Sequence, residues 1–166
     1  MKSLVVFYSR TGNTSLVALK IAGLLHADTE RILSEVAYDG FFGYAKAVLH
    51  SLAGRNVAIQ PPKSSPDGYD LVVIGGPVWA GHMAPPVRTY LREFRGHFKH
   101  VAFCLTHGGS AAASSFSQMA AICELRPVAT LAVTMRDLAR GHHDLAVRTF
   151  VKTLEQQLGQ GRRDVA

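Results

Sequence analysis

Two uninterrupted apolar runs, Leu71-Val72-Val73-Ile74 and Val101-Ala102-Phe103-Cys104-Leu105, restrict the architecture of this chain more than any other feature. A strand that is apolar at every position has two faces to hide, and a sheet wetted on one side cannot hide both. Segments with a helical period separate such runs, so a parallel sheet with helices on both faces is expected. Strands are expected at 3–8, 28–34, 70–75, 100–106 and 128–135, the polar, alternating 28–34 at an edge. The helical stripes are Val17, Ile21 and Leu24; Val87, Tyr90 or Leu91, Phe94 and Phe98; Phe116, Met119 or Ala120, and Cys123; and Val147, Phe150 or Val151, Leu154 and Leu158. Each is expected to pack on the sheet.

The first strand breaks directly into Ser9-Arg10-Thr11-Gly12-Asn13-Thr14 and then a helix. A helix start presents unpaired N–H groups and the positive end of its dipole. Ser9, Thr11 and Thr14 add hydroxyls, Asn13 an amide, and Gly12 a close backbone approach. The loop can therefore cradle a phosphate without lysine or metal. It lacks the Gly-Lys-Ser/Thr ending of a Walker loop, the three glycines of a dinucleotide fingerprint, and the cysteine of a tyrosine-phosphatase loop. The alternative is a polar turn that caps the helix through Thr11, Asn13 or Thr14.

At 166 residues, with 48% hydrophobic and 18% charged, the sequence suits one globular domain, expected over 1–160 with a frayed tail at 161–166. No apolar run reaches the roughly 18 residues of a membrane span. The start, Met1-Lys2-Ser3, enters a strand without a signal-peptide core. Cys104 and Cys123 have no metal-site spacing and read as small core residues, so a cytoplasmic location is expected. The net charge of +6 comes from scattered lysines and arginines and forms no stripe interleaved with aromatics, which disfavours nucleic-acid binding.

In an open parallel sheet ligands sit beyond the carboxyl ends of strands, where the winding reverses. The third strand is followed by Gly75-Gly76-Pro77-Val78-Trp79-Ala80-Gly81-His82, which carries the only tryptophan. Trp79 is either a core plug or a flat surface offered to a planar ligand, and the flanking glycines favour the second. Thr106-His107-Gly108-Gly109-Ser110 follows the fourth strand and can offer donors and acceptors to a heterocycle. His107 is either a charge switch near neutrality or an ordinary loop histidine.

With these loops the chain resembles the flavodoxins and the wider group of flavodoxin-like FMN proteins over essentially its whole length. Residues 9–14 look like the phosphate loop, Gly76-Pro77-Val78-Trp79-Ala80-Gly81 like the first ring-contacting loop. Thr106-His107-Gly108-Gly109-Ser110 matches the second ring loop in position and glycine content. The resemblance implies an α/β doubly wound sheet of five strands, ordered 2-1-3-4-5, with noncovalent FMN across the loops. Ser9, Thr11, Gly12, Asn13 and Thr14 would hold phosphate; Pro77, Val78, Trp79, Ala80 and Gly81 would meet one side of the ring, and residues 106–110 its polar edge. Arg10 would point to solvent. The Ala80-Gly81 peptide could turn its carbonyl toward the flavin N5 on reduction.

The implied activity is electron transfer with a redox partner protein. The alternatives are an NAD(P)H-dependent flavin or quinone oxidoreductase, in which His107, His82 or Tyr38 could protonate an acceptor, and an interaction protein with a vestigial flavin site. Three departures from the family stand out. The second ring loop has no tyrosine, the acidic surface of carrier flavodoxins is missing, and residues 38–54 are inserted. The helical period Phe41, Phe42, Ala45, Val48, Leu49, Leu52 makes the insertion an extra core helix. The alternative is a pocket wall built from Tyr38, Phe41, Phe42 and Tyr44.

Overall fold

In the computed structural model, residues 1–38, 40–109 and 112–160 are described, Phe41, Tyr44 and Gln160 without their side chains. The strands are β1 Ser3–Phe7, β2 Asp28–Arg31, β3 Leu71–Trp79, β4 His82–Met83, β5 Val101–His107 and β6 Thr130–Thr134. The helices are α1 Asn13–Leu25, α2 Gly40–Leu52, α3 Pro85–Glu93, α4 Ala112–Cys123, α5 Met135–Arg140 and α6 His143–Gln160. Parallel strands run in the order β2-β1-β3-β5-β6, with β4 paired only to β3. Setting that two-residue strand aside, this is the winding 2-1-3-4-5 expected of a flavodoxin-like sheet. The sparsely buried β2 occupies one edge, as its polar sequence requires.

The parallel register Leu4↔Val72, Val5↔Val73 sorts the strands' side chains cleanly between the two faces. Leu4, Val6, Val72, Ile74, Phe103 and Leu105 face Val87, Tyr90 and Leu91 of α3 and Met119 and Cys123 of α4. Val5, Phe7, Val73, Ala102 and Cys104 face Val17, Ile21 and Leu25 of α1 and Val147, Phe150 and Leu154 of α6. Both cysteines are buried, and burial pushes the Cys104 thiol up to about 12 and raises that of Cys123, so neither is poised to react. No helix among the described residues is long and apolar enough to cross a membrane.

Several expectations are corrected. On α1 the inward residue is Leu25, and Leu24 lies toward solvent, because the turn ends at His26 and Leu25 falls in line with Val17, Ala18, Ile21 and Ala22. Strand β3 runs four residues beyond position 75 and folds back on β4 through Trp79↔His82. The two connecting residues, Ala80 (φ 49°) and Gly81 (φ 80°), both lie at positive φ, as a two-residue hairpin of type I′ demands. Helix α3 stops at Glu93, although Phe94 still stacks on Tyr90 at 4.7 Å. The last strand ends at Thr134, where a reciprocal cap starts α5: the Asp137 N–H donates to Thr134 Oγ1 at 3.0 Å and that hydroxyl donates back to Asp137 at 2.6 Å.

Helix α2 forms, but its apolar stripe is turned outward. Phe42, Ala45, Leu49 and Leu52 are exposed, whereas Ala47 and Ser51 are buried. It is therefore not the core helix its period suggests. Phe41 and Tyr44, offered above as pocket walls, lie outside the described side chains, as do Ser110 and the tail 161–166 outside the described residues.

Candidate functional site

The carboxyl ends of β1, β3 and β5 deliver the three loops to one cavity of about 380 Å³. The first loop contributes Ser9, Arg10, Thr11, Asn13 and Thr14, the second Pro77, Val78 and Trp79, the third Thr106, His107 and Gly108. Gly12, Ala80, Gly81 and Gly109 do not line it, and Ser110 lies outside the described residues. Met135, at the start of α5, completes the wall. It was missed in the sequence, although its place just after the last strand was a usable signal.

The first loop is held by its own hydroxyls. The Gly12 N–H donates to Ser9 Oγ at 3.1 Å, and Gly12 takes a left-handed conformation (φ 93°) that favours glycine. Gly12 is the cap residue of α1, and no side chain caps the helix. The capping alternative for Thr11, Asn13 and Thr14 is thus not realised. The first intrahelical bond runs from the Leu16 N–H to the Gly12 carbonyl at 2.9 Å, so the amides of Asn13, Thr14 and Ser15 have no acceptor within the helix. Thr14 is buried, with its hydroxyl 2.7 Å from that of Thr106, which ties the first loop to the third. One proton serves that bond and the second hydroxyl keeps its own to give. Asn13 Nδ2 reaches Thr11 Oγ1 at 3.3 Å and Met135 Sδ at 3.1 Å.

Arg10 does not extend into solvent as expected. It is half-buried and donates from Nη1 to the Tyr38 carbonyl at 3.3 Å. It is nevertheless the one permanently charged side chain among the described residues of the cavity wall. Trp79 is both wall and core: only 5% exposed, it is gripped edge-on by Tyr8 (5.8 Å, 88°) and Tyr38 (5.5 Å, 67°). Those two contacts fix the indole plane.

Of the three groups considered for proton transfer, only His107 lines the cavity. Its Nδ1 is buried with no hydrogen-bond partner among the described residues. A buried nitrogen left unpaired is costly. His82 is instead engaged with Gln118 at 3.1 Å, and Tyr38 Oη with His50 Nδ1 at 3.1 Å. Burial raises the Tyr38 phenol above its ordinary value; it also lowers His50, with Arg55 and Lys46 lowering it further.

The winding order is that of a flavodoxin-like α/β fold, with a loop-built cavity at the strand ends and an uncapped helix start beside it. Among solved structures the chain is similar to a flavoprotein in complex with FMN from Lactobacillus acidophilus NCFM, with 24% identity, a TM-score of 0.70, and 84% of this chain and 97% of that one covered. The apo-form of the Lactobacillus acidophilus NCFM flavoprotein matches with 23% identity, a TM-score of 0.62 and coverage of 83% and 95%. Oxidised flavodoxin 1 from Bacillus cereus matches with 14% identity, a TM-score of 0.54 and coverage of 93% and 98%. No protein-family model and no curated protein matches the chain.

Proposed function

We propose that the protein binds FMN noncovalently across the three loops and transfers electrons through it. One observation carries this reading: Asn13 and Thr14, whose amides have no acceptor within α1, share a cavity with Trp79 and Thr106. The donor set suits the group. A dianionic ester is matched by helix N–H groups and hydroxyls, a flat heterocycle by an indole held rigid, and a polar ring edge by the unpaired His107 nitrogen. The volume of about 380 Å³ lies in the range of ligand pockets.

The flavin supplies the redox chemistry; the chain supplies position, access and charge. Ser9 closes the loop so that the α1 amides converge, and Thr14 with Thr106 locks the first loop to the third. Trp79 presents a fixed plane because two tyrosine edges hold it. Without a lysine in the loop, a doubly charged ester meets dipoles and hydroxyls, and its charge is less neutralised than in a lysine-bearing cradle.

The described part of the third loop, Thr106 to Gly109, carries no tyrosine, phenylalanine or tryptophan. That observation favours a second reading, an oxidoreductase whose open ring face takes hydride from NAD(P)H. Fluorescence titration of FMN with the refolded, cofactor-stripped chain tests the first reading; unquenched flavin at saturating protein rejects it. Anaerobic NADH or NADPH then separates the two, since prompt bleaching of bound flavin marks the reductase and inertness the carrier.

A further inference from the structure

The outward stripe of α2 carries no polar side chain. Phe42, Ala45, Leu49 and Leu52 fall within an arc of about 80° at the pitch of an α-helix. All four are exposed, Leu49 at 64% and Leu52 at 54%. Large apolar side chains gathered in water mark a surface that something covers. The helix is also tied to the wall of the three-loop cavity, since His50 bonds Tyr38 at 3.1 Å and the Tyr38 ring meets Trp79 at 5.5 Å.

Charge decides what covers it. Residues 40–66, between Asp39 and Asp67, hold Lys46, Arg55 and Lys63 and none of the 12 acids of the chain. Lys46 flanks the stripe between Phe42 and Leu49, and Arg55 follows the helix. Both are exposed, and neither has an ion-pair partner among the described residues. A second copy seated on the stripe would set these cations against their own kind. A protein partner asks for about one hydrogen bond per 100–200 Å², and the stripe has no side chain to give one. A lipid surface asks for none. Apolar side chains enter the acyl boundary while lysine and arginine reach back to anionic headgroups, and the net charge of +6 favours the approach.

We propose that α2 is a membrane-surface anchor, through which the protein lies on an anionic lipid bilayer without spanning it. The stripe of Phe42, Leu49 and Leu52 supplies the apolar contact, and Lys46 and Arg55 supply the preference for anionic lipid. The anchor goes beyond the flavin reading and does not depend on it.

The test is flotation of the full chain with vesicles of phosphatidylcholine alone and of equal parts phosphatidylcholine and phosphatidylglycerol. The protein is expected to float with the mixed vesicles and to bind phosphatidylcholine alone about tenfold more weakly. Leu49→Asp should weaken binding to the mixed vesicles at least about tenfold, and Lys46→Gln about fivefold. Lys152→Gln, on α6 at the opposite face of the sheet, should leave binding unchanged. Lys46 and Lys152 are both exposed, so their comparison stands even if Leu49→Asp fails to fold. The proposal is overturned by absence of binding to the mixed vesicles, by equal binding to both kinds, or by equal losses from Lys46→Gln and Lys152→Gln. It is also overturned if the chain ignores vesicles and forms a dimer that Leu49→Asp separates, because the stripe then joins two copies.

Discussion

Helices α1 and α2 are each 13 residues long and rich in apolar side chains, yet the sheet uses them in opposite ways. Helix α1 follows the interior strand β1, lays Val17, Ile21 and Leu25 on the core, and starts uncapped at the cavity beyond the strand ends. Helix α2 is inserted between β2 and β3; it packs through Ala47 and Ser51 and leaves Phe42 (87% exposed) and Leu49 (64% exposed) in water. A helical period shows that a helix forms. Which face is buried depends on what the chain on either side lets it reach.

The sharpest way to break this comparison is truncation on each helix. Ile21 is fully buried against β1 and β3 neighbours, so Ile21→Ala should cost about 2–5 kcal/mol in denaturant unfolding. A loss under 1 kcal/mol would show that α1 is not the anchored helix described here.

The second effect concerns the start of α1. Thr14→Leu removes the hydroxyl bonded to Thr106 and places a larger apolar group where the amides converge. FMN affinity should fall about a hundredfold, equivalent to about 2.7 kcal/mol. Arg10→Ala should cost far less, because that guanidinium is turned toward Tyr38 and the helix amides remain. Equal losses in a paired fluorescence titration would mean that the arginine, and not the helix start, holds the phosphate.

A smaller effect is tied to pH and separates α2 from α1. His50 is held below its ordinary value by burial first and by Arg55 and Lys46 second. A depressed histidine favours the neutral, folded form. Its contribution is therefore present above the unfolded value of about 6.5 and is lost as pH falls through the lowered folded value. Acidification from neutrality should loosen the bond between Tyr38 Oη and His50 Nδ1 and speed amide exchange in α2. His50→Gln should remove that pH dependence; if it persists in the variant, another group controls α2.

What the sequence disclosed follows from how local each signal is. Apolar runs at 71–74 and 101–105 and the hydroxyl-rich turn at 9–14 need no distant partner to be read, and they place the sheet and the three loops. The β3–β4 hairpin was hidden because its turn is Ala-Gly, where the usual marks are Asn-Gly or Asp-Gly. The bond from Arg31 to the Ser9 carbonyl was equally hidden. It arises only when β2 lies beside β1 and brings residues 22 positions apart together. Met135 enters the wall of the three-loop cavity for the same kind of reason, through the end of β6.

The smallest effect tests the outer face of α2 directly. Leu49 projects from that helix with 64% of its surface in water, beside the equally outward Phe42 and Leu52. Truncation there removes little area from a packed interface, so Leu49→Ala should change unfolding free energy by no more than about 0.5 kcal/mol. The contrast with Ile21 is informative because both residues sit in 13-residue helices and both changes delete a branched apolar side chain. If Leu49→Ala costs as much as Ile21→Ala, the outward stripe is packed against something in solution, and the asymmetry between the two helices disappears.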